Sequence, residues 1–212
     1  MVRFIIVRHG YSEANKANRF CGQTDVALDE KGLRQANEVS KYIKNTFDVG
    51  AIYSSDLCRA YDTVKPLSEA TGIPIVKKKA LREIDVGVWQ GLSVDEAAEK
   101  FPATFSKYKH NPWTSRFEGG EGYADVTVRA MAALEDIAKE HEGHTVVIAT
   151  HGGVVRTIIA ALSNTPTEKS NEIPHVANAS ITVAEYENGH AAIPCVGYCD
   201  YLSEKTTNLW VK

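Results

Sequence analysis

Alternating strand and helix patterns predict an α/β fold for this 212-residue chain: a three-layer α/β/α sandwich around a mostly parallel, mixed sheet. Three observations carry that prediction. Apolar runs of strand length alternate with apolar stripes of helical period. Two of the runs, Phe4-Ile5-Ile6-Val7 and Val146-Val147-Ile148-Ala149, are soon followed by a histidine and a glycine, His9-Gly10 and His151-Gly152. Near the end, residues 181–186 and 191–194 flank Asn188-Gly189, a hairpin turn signal that makes the sheet mixed.

The elements follow in order. After the first strand, Asp29 caps a helix whose buried stripe is Leu33, Ala36, Val39, Ile43 and Phe47. Residues 51–54 read as a short strand. The next helix takes Asp56 as its cap and Leu57, Ala60, Tyr61, Val64 and Leu67 as core residues. Gly72 ends it, before a third strand at Pro74-Ile75-Val76. Residues 93–123 break the pattern with Pro102, Pro112, Gly119, Gly120 and Gly122, and are expected as an irregular, partly helical segment over the sheet. A long helix from Tyr123 to about His141 turns Val126, Ala130, Met131, Leu134 and Ile137 inward. The second histidine strand and an almost wholly apolar helix come next. No repeat or linker divides the chain, so a single domain over 1–212 is expected, with a cap-like insertion at about 93–123. The tail after Cys199 shows no pattern beyond Leu209-Trp210-Val211.

A formal charge of −3 argues against a nucleic-acid partner, which calls for a basic balance or stripe. Cys21, Cys58, Cys195 and Cys199 lack a Cys-x-x-Cys pair and read as reduced thiols. The N-terminal apolar run is too short for a signal peptide, and nothing approaches membrane-spanning length. A cytoplasmic location without a membrane partner is therefore expected. No carboxylate cluster has metal-ligand spacing, so neither a metal nor another cofactor is expected.

An arginine and a histidine at the carboxyl end of a buried strand sit where open α/β sheets place ligand crevices. Two strand-end histidines far apart in sequence meet only if their strands are neighbours. A histidine beside a fixed cation, followed by a glycine, is suited to present imidazole to a phosphate.

Four blocks then resemble the histidine phosphatase superfamily, the phosphoglycerate-mutase-like enzymes. They are Val7-Arg8-His9-Gly10-Tyr11-Ser12-Glu13-Ala14-Asn15; Ser54-Ser55-Asp56-Leu57-Cys58-Arg59-Ala60 with Thr63; Leu81-Arg82-Glu83-Ile84-Asp85-Val86-Gly87-Val88-Trp89-Gln90-Gly91; and Thr150-His151-Gly152-Gly153. The resemblance runs from Val2 to about Ala161 and implies a phosphoglycerate-mutase-like fold. It also implies a set of roles. His9 would be the nucleophile that forms a phosphohistidine, its other ring nitrogen held by a backbone carbonyl near Gly10. Arg8 and Arg59 would clamp the phosphate, since guanidinium is a planar fork that stays charged. His151 would donate to the same phosphate, adding positive charge if protonated. Glu83 would be the general acid, with Asp85, Glu13 and Glu121 as competing carboxylates. Asn15 would hydrogen-bond the phosphate. Cys21, Gly22 and Gln23 would line the pocket through backbone donors, with Asp25 and Leu28 as anchors of that loop. Gly152 would let the backbone approach the ligand, although a tight turn explains it equally well.

The partner implied is a small-molecule phosphate ester. A phosphomonoester hydrolase is the leading reading, a phosphoglycerate mutase the alternative, and a non-catalytic phospholigand-binding protein the third. The third block resembles the compact bacterial phosphatases, broad-specificity and α-ribazole-type. It lacks the mutase Glu-Arg-His-Tyr-Gly. The α-ribazole group often shows Gly-Gly-Glu-Ser where this chain has Gly119-Gly120-Glu121-Gly122, which leaves the substrate open. Lys107, Lys109, His110, Trp113 and Arg116 are candidate substrate contacts, or else a solvated basic face with one packed tryptophan. The sequence leaves monomer or homodimer open.

Overall fold

The structure is a computed structural model that describes residues 1–187 and 189–204. Six strands form one sheet: β1 (Val2–Arg8), β2 (Val49–Ser54), β3 (Ile75–Lys77), β4 (Thr145–Thr150), β5 (Ile181–Glu187) and β6 (His190–Tyr198). Their order is β3-β2-β4-β1-β5-β6. β4 pairs in parallel with both β1 and β2, whereas β5 is antiparallel to β1 and to β6. The sheet is thus mixed, and the closing hairpin forms as expected, with Gly189 at φ 81°. Asn188 and the run 209–211 lie outside the described residues.

Alternation along the strands divides the core in two. Phe4 and Ile6 of β1 and Val146 and Ile148 of β4 pack with α6 (Tyr123–Glu140) and α7 (Gly152–Leu162). Ile5, Val7, Val147 and Ala149 pack on the other face with α2 (Glu30–Thr46) and α3 (Cys58–Thr71). Burial on both faces is why β1 and β4 read as unbroken apolar runs. No described helix is long and apolar enough to cross a membrane.

Two readings of local sequence need correction. Leu33 is 51% exposed, not buried. Gly32 takes the inward position one residue earlier, because α2 starts hard against Tyr11. A Cβ on Gly32 would lie 1.9 Å from the Tyr11 carbonyl oxygen. Nor does Asp56 cap α3. Its carboxylate accepts from Arg82 Nε and Nη2, both at 2.7 Å. The first amide of α3, Cys58 N–H, donates instead to Asp25 Oδ1 at 2.8 Å, so the cap comes from a distant loop.

Residues 93–123 carry α4 (Val94–Lys100) and α5 (Pro102–His110). Fully buried Trp89 organises this region. Phe20, Phe101, Phe105, Tyr108 and Phe117 surround it at ring-centroid distances from 5.1 to 6.5 Å. The remaining helix, α1 (Glu13–Ala17), follows β1 and is capped by Ser12.

Candidate active site

The parallel register sets Arg8 of β1 beside Thr150 of β4, so the two following histidines emerge together. Their ring centroids are 5.2 Å apart, and both side chains are buried. His9 Nδ1 lies 2.7 Å from the Gly10 carbonyl oxygen. That oxygen only accepts, so Nδ1 carries the proton and Nε2 keeps its lone pair. The supporting bonds come from afar. Gly10 N–H donates to Thr63 Oγ1, whose hydroxyl donates to Arg59 O. Asn178 Nδ2 donates to His9 O, Gly10 O and Asn15 Oδ1. Asn178 stands in none of the four blocks, and nothing in the sequence flagged it.

Burial, then the charges of Arg59 and Arg8, push the His9 pKa well below 6.5. Burial and the same arginines act on His151, with His9 and Arg129 adding to the effect. The protein alone therefore holds both imidazoles neutral, and His151 would gain its proton only when an anion arrives. The unfolded chain, by contrast, protonates both near 6.5. As pH falls below that value the unfolded state takes up protons that the folded state refuses. Stability should then drop by up to about 1.4 kcal/mol per pH unit for each histidine. Thermal melts from pH 7 to pH 5 should show this loss, and inorganic phosphate should reduce it.

Arg8 and Arg59 are both buried beside the histidines. Burial lowers the Arg8 pKa to about 10, with Glu83 opposing, so Arg8 stays charged at neutral pH. Its Nη1 donates to Val176 O. Arg59 donates to the carbonyls of Thr24 and Gly22, each at 2.8 Å, which curls the 22–25 loop around it. Cys21 and Gly22 line the cleft. Burial raises the pKa of the Cys21 thiol, which suits a wall residue and not a nucleophile. Gln23 does not line the cleft. Its amide turns away to donate to Glu83 O at 3.1 Å, bracing the neighbouring segment. Asn15 lines the cleft, but its Oδ1 accepts from Ser12 N–H and Ser12 Oγ in the α1 cap. Any phosphate contact must then come from Nδ2.

Of the four carboxylates considered, only Glu83 lines the cleft. Its Oε1 accepts from Ile84 N–H at 3.0 Å and its Oε2 from Gly153 N–H at 3.2 Å, at the start of α7. Arg129 clamps the turn that carries it, donating to the carbonyls of Ala80, Arg82 and Glu83. The same guanidinium grips both oxygens of Glu121, at 2.8 and 2.9 Å. Burial alone would raise the Glu121 pKa, but Arg129 and the Asp85 N–H hold it low. Asp85 Oδ1 accepts from Gly87 N–H within its own turn, and Glu13 is exposed on α1.

His151 Nε2 meets Ser55 Oγ at 2.9 Å, while its buried Nδ1 has no hydrogen-bond partner among the described residues. An orphaned buried ring nitrogen beside two arginines is suited to donate to an anion. Gly152 opens α7 and lines the cleft with its backbone against the Arg8 guanidinium. The cleft holds about 150 Å³, and Val86, Tyr108, Phe117 and Tyr123 are among the residues that line it.

None of the five candidate substrate contacts lines it. Lys107, Lys109 and His110 are exposed, because α5 turns Tyr108 inward and these three outward. Arg116 pairs with Asp125, and Trp113 is buried. Of the two lining arginines overlooked, Arg19 is exposed and pairs with Glu96, and Arg156 is buried. Its signal was the lone charge in the apolar helix that follows His151. Among the described residues, no group of three or more His, Cys, Asp or Glu side chains could hold a metal ion.

Comparison with known proteins places this arrangement in context. Residues 4–197 match the profile of the histidine phosphatase superfamily (branch 1). The chain is 36% identical over 162 residues to phosphoserine phosphatase 1 of Hydrogenobacter thermophilus, covering 76% of each protein. It is 35% identical over 185 residues to a metal-independent phosphoserine phosphatase of Arabidopsis thaliana, covering 86% of this chain and 76% of that one. Among solved structures, YhfR of Bacillus stearothermophilus superposes with a TM-score of 0.90 at 32% identity, covering 95% of this chain and 99% of the other.

Proposed function

Because the chain belongs to the histidine phosphatase superfamily, we propose that it hydrolyses small phosphomonoesters through a phosphohistidine on His9. One observation carries the reading: a neutral His9, its Nδ1–H fixed on Gly10 O, is set between the charges of Arg8 and Arg59. Nε2 attacks phosphorus as the ester P–O bond breaks, and Glu83 gives its proton to the departing alkoxide. Arg8, Arg59 and His151 Nδ1–H stabilise the charge on the equatorial oxygens. Water then attacks the phosphohistidine, Glu83 takes its proton, and orthophosphate leaves with His9 neutral again. Every proton and bond is accounted for by side chains present in the cleft, so no step calls for a metal.

Relatives named as phosphoserine phosphatases, one of them described as metal-independent, support hydrolysis over isomerisation. The test is to supply 3-phosphoglycerate with a trace of 2,3-bisphosphoglycerate, in the presence and absence of EDTA. Release of orthophosphate that survives the chelator is the expected result. Rapid formation of 2-phosphoglycerate with little phosphate would replace the hydrolase with a mutase. Loss of activity in EDTA, restored by a divalent ion, would sink the metal-free route.

A further inference from the structure

The two histidines of the site differ in what holds them. His9 Nδ1 is fixed by a main-chain carbonyl, whereas His151 Nε2 is held by a side chain, the Ser55 hydroxyl at 2.9 Å. The sheet puts that hydroxyl there. Ser54 of β2 pairs with Ala149 of β4, and Arg8 of β1 with Thr150 of β4. Ser55, His151 and His9 therefore follow the carboxyl ends of three adjacent strands.

Ser55 has little freedom to do anything else. It is fully buried, its N–H donates to Ala149 O at 2.9 Å, and its carbonyl accepts from Ser54 Oγ at 2.7 Å. Among the described residues its hydroxyl has two partners, Leu57 N–H at 3.3 Å and His151 Nε2. An amide N–H only donates, so there the hydroxyl oxygen accepts. Its hydrogen is left for the lone pair of Nε2. The reverse arrangement, with the ring proton on Nε2, would leave the buried hydroxyl hydrogen with no acceptor between these two partners, which is costly.

A neutral imidazole carries one N–H, so a lone pair committed at Nε2 puts the proton on Nδ1. Nδ1 is the ring atom that is buried without a partner among the described residues. We propose that Ser55 is a positioning residue that fixes His151 as the Nδ1–H tautomer, so that this imidazole presents a donor, not a lone pair, to the transferring phosphoryl group. With the proton on Nε2, the Nδ1 lone pair would repel an anionic oxygen. The Leu57 N–H belongs to the same device: it occupies the accepting side of the hydroxyl and turns its hydrogen towards the ring. The catalytic role of Ser55 rests on the phosphatase reading, but the tautomer does not.

The test reads the ring proton directly. Protein labelled with nitrogen-15 histidine is examined at neutral pH by long-range nitrogen–proton correlation, and the His151 signals are assigned by their loss in His151→Asn. Wild type should show the His151 proton on Nδ1 and a bare Nε2. A proton on Nε2 would overturn the proposal, whatever the variants do. In Ser55→Ala the proton should move to Nε2 or exchange between the two nitrogens. Its kcat/KM should fall about tenfold, the worth of one hydrogen bond, on p-nitrophenyl phosphate and 3-phosphoglycerate alike. The losses match because the donor acts on the phosphoryl oxygens and not on the leaving one, which separates Ser55 from Glu83. Ser55→Cys keeps a weak donor and should lie between wild type and Ser55→Ala, and it takes the place of that variant if alanine prevents folding. Lost activity with the ring proton still on Nδ1 would make Ser55 a support of the fold alone and overturn the proposal. An unchanged kcat/KM would do the same. If wild type hydrolyses neither ester, the phosphatase reading fails by itself. Titration with inorganic phosphate then decides: Ser55→Ala should bind it about tenfold more weakly, and equal affinities would overturn the proposal.

Discussion

Replacing His9 with alanine should abolish phosphate release, with a fall of at least about 10⁴-fold for a lost nucleophile. The structure gives this loss a narrow cause. His9 N–H donates to Thr150 O, and its carbonyl accepts from Asn178, so the backbone stays anchored without the ring. The variant should fold, and it sheds one of the two buried imidazoles that resist protonation. Its melting temperature should therefore fall less than that of wild type between pH 7 and pH 5. The direct readout is a radioactive phosphate ester quenched during turnover. Wild type should carry acid-labile, base-stable label, and His9→Ala none. Label that persists in the variant would move the nucleophile elsewhere, with His151 the next residue to test.

The second large effect belongs to Glu83 and depends on the leaving group. Glu83→Gln keeps the shape and removes the transferable proton. On an alkyl ester such as 3-phosphoglycerate the loss should reach about 10²–10⁴-fold. On p-nitrophenyl phosphate it should be far smaller, because that phenolate departs with little protonation. Gly153→Ala offers a second route to the same result. A Cβ there would lie 2.5 Å from Glu83 Oε1, and would push the carboxylate off its bond to the start of α7. It too should harm the alkyl ester more than the aryl one. Equal losses on both esters would argue that Glu83 positions substrate and does not protonate it.

What the sequence made legible follows from how each residue is signalled. His9 and His151 stood out because each follows a buried run that has no other reason to end there. The sheet and its helical layers were legible for the same reason, since burial on both faces leaves long apolar signatures, whereas the closing hairpin was legible from the Asn188-Gly189 turn signal. Arg156 was passed over because one cation in an apolar helix has no periodicity of its own. Asp56 looked like a cap because sequence shows only local partners, whereas Asp25 reaches α3 across a loop. Leu33 was misplaced because hydrophobic stripes are read from large side chains, and here a glycine holds the inward position. Gln23 and the α5 cations show the same limit. Charge and polarity mark residues that can meet a ligand, but which way they turn is set by distant contacts.

The sheet order has a last consequence, for how the protein is made. Of the six strands β1 leaves the ribosome before the others, yet both of its partners, β4 and β5, follow only after β2 and β3. Until they emerge, a nearly uninterrupted apolar strand waits without hydrogen-bond partners. Such long-range pairing folds slowly and leaves the nascent chain prone to aggregation. Synthesis and assembly thus run in opposite order: the earliest of the six strands cannot complete its pairing until β5 has emerged.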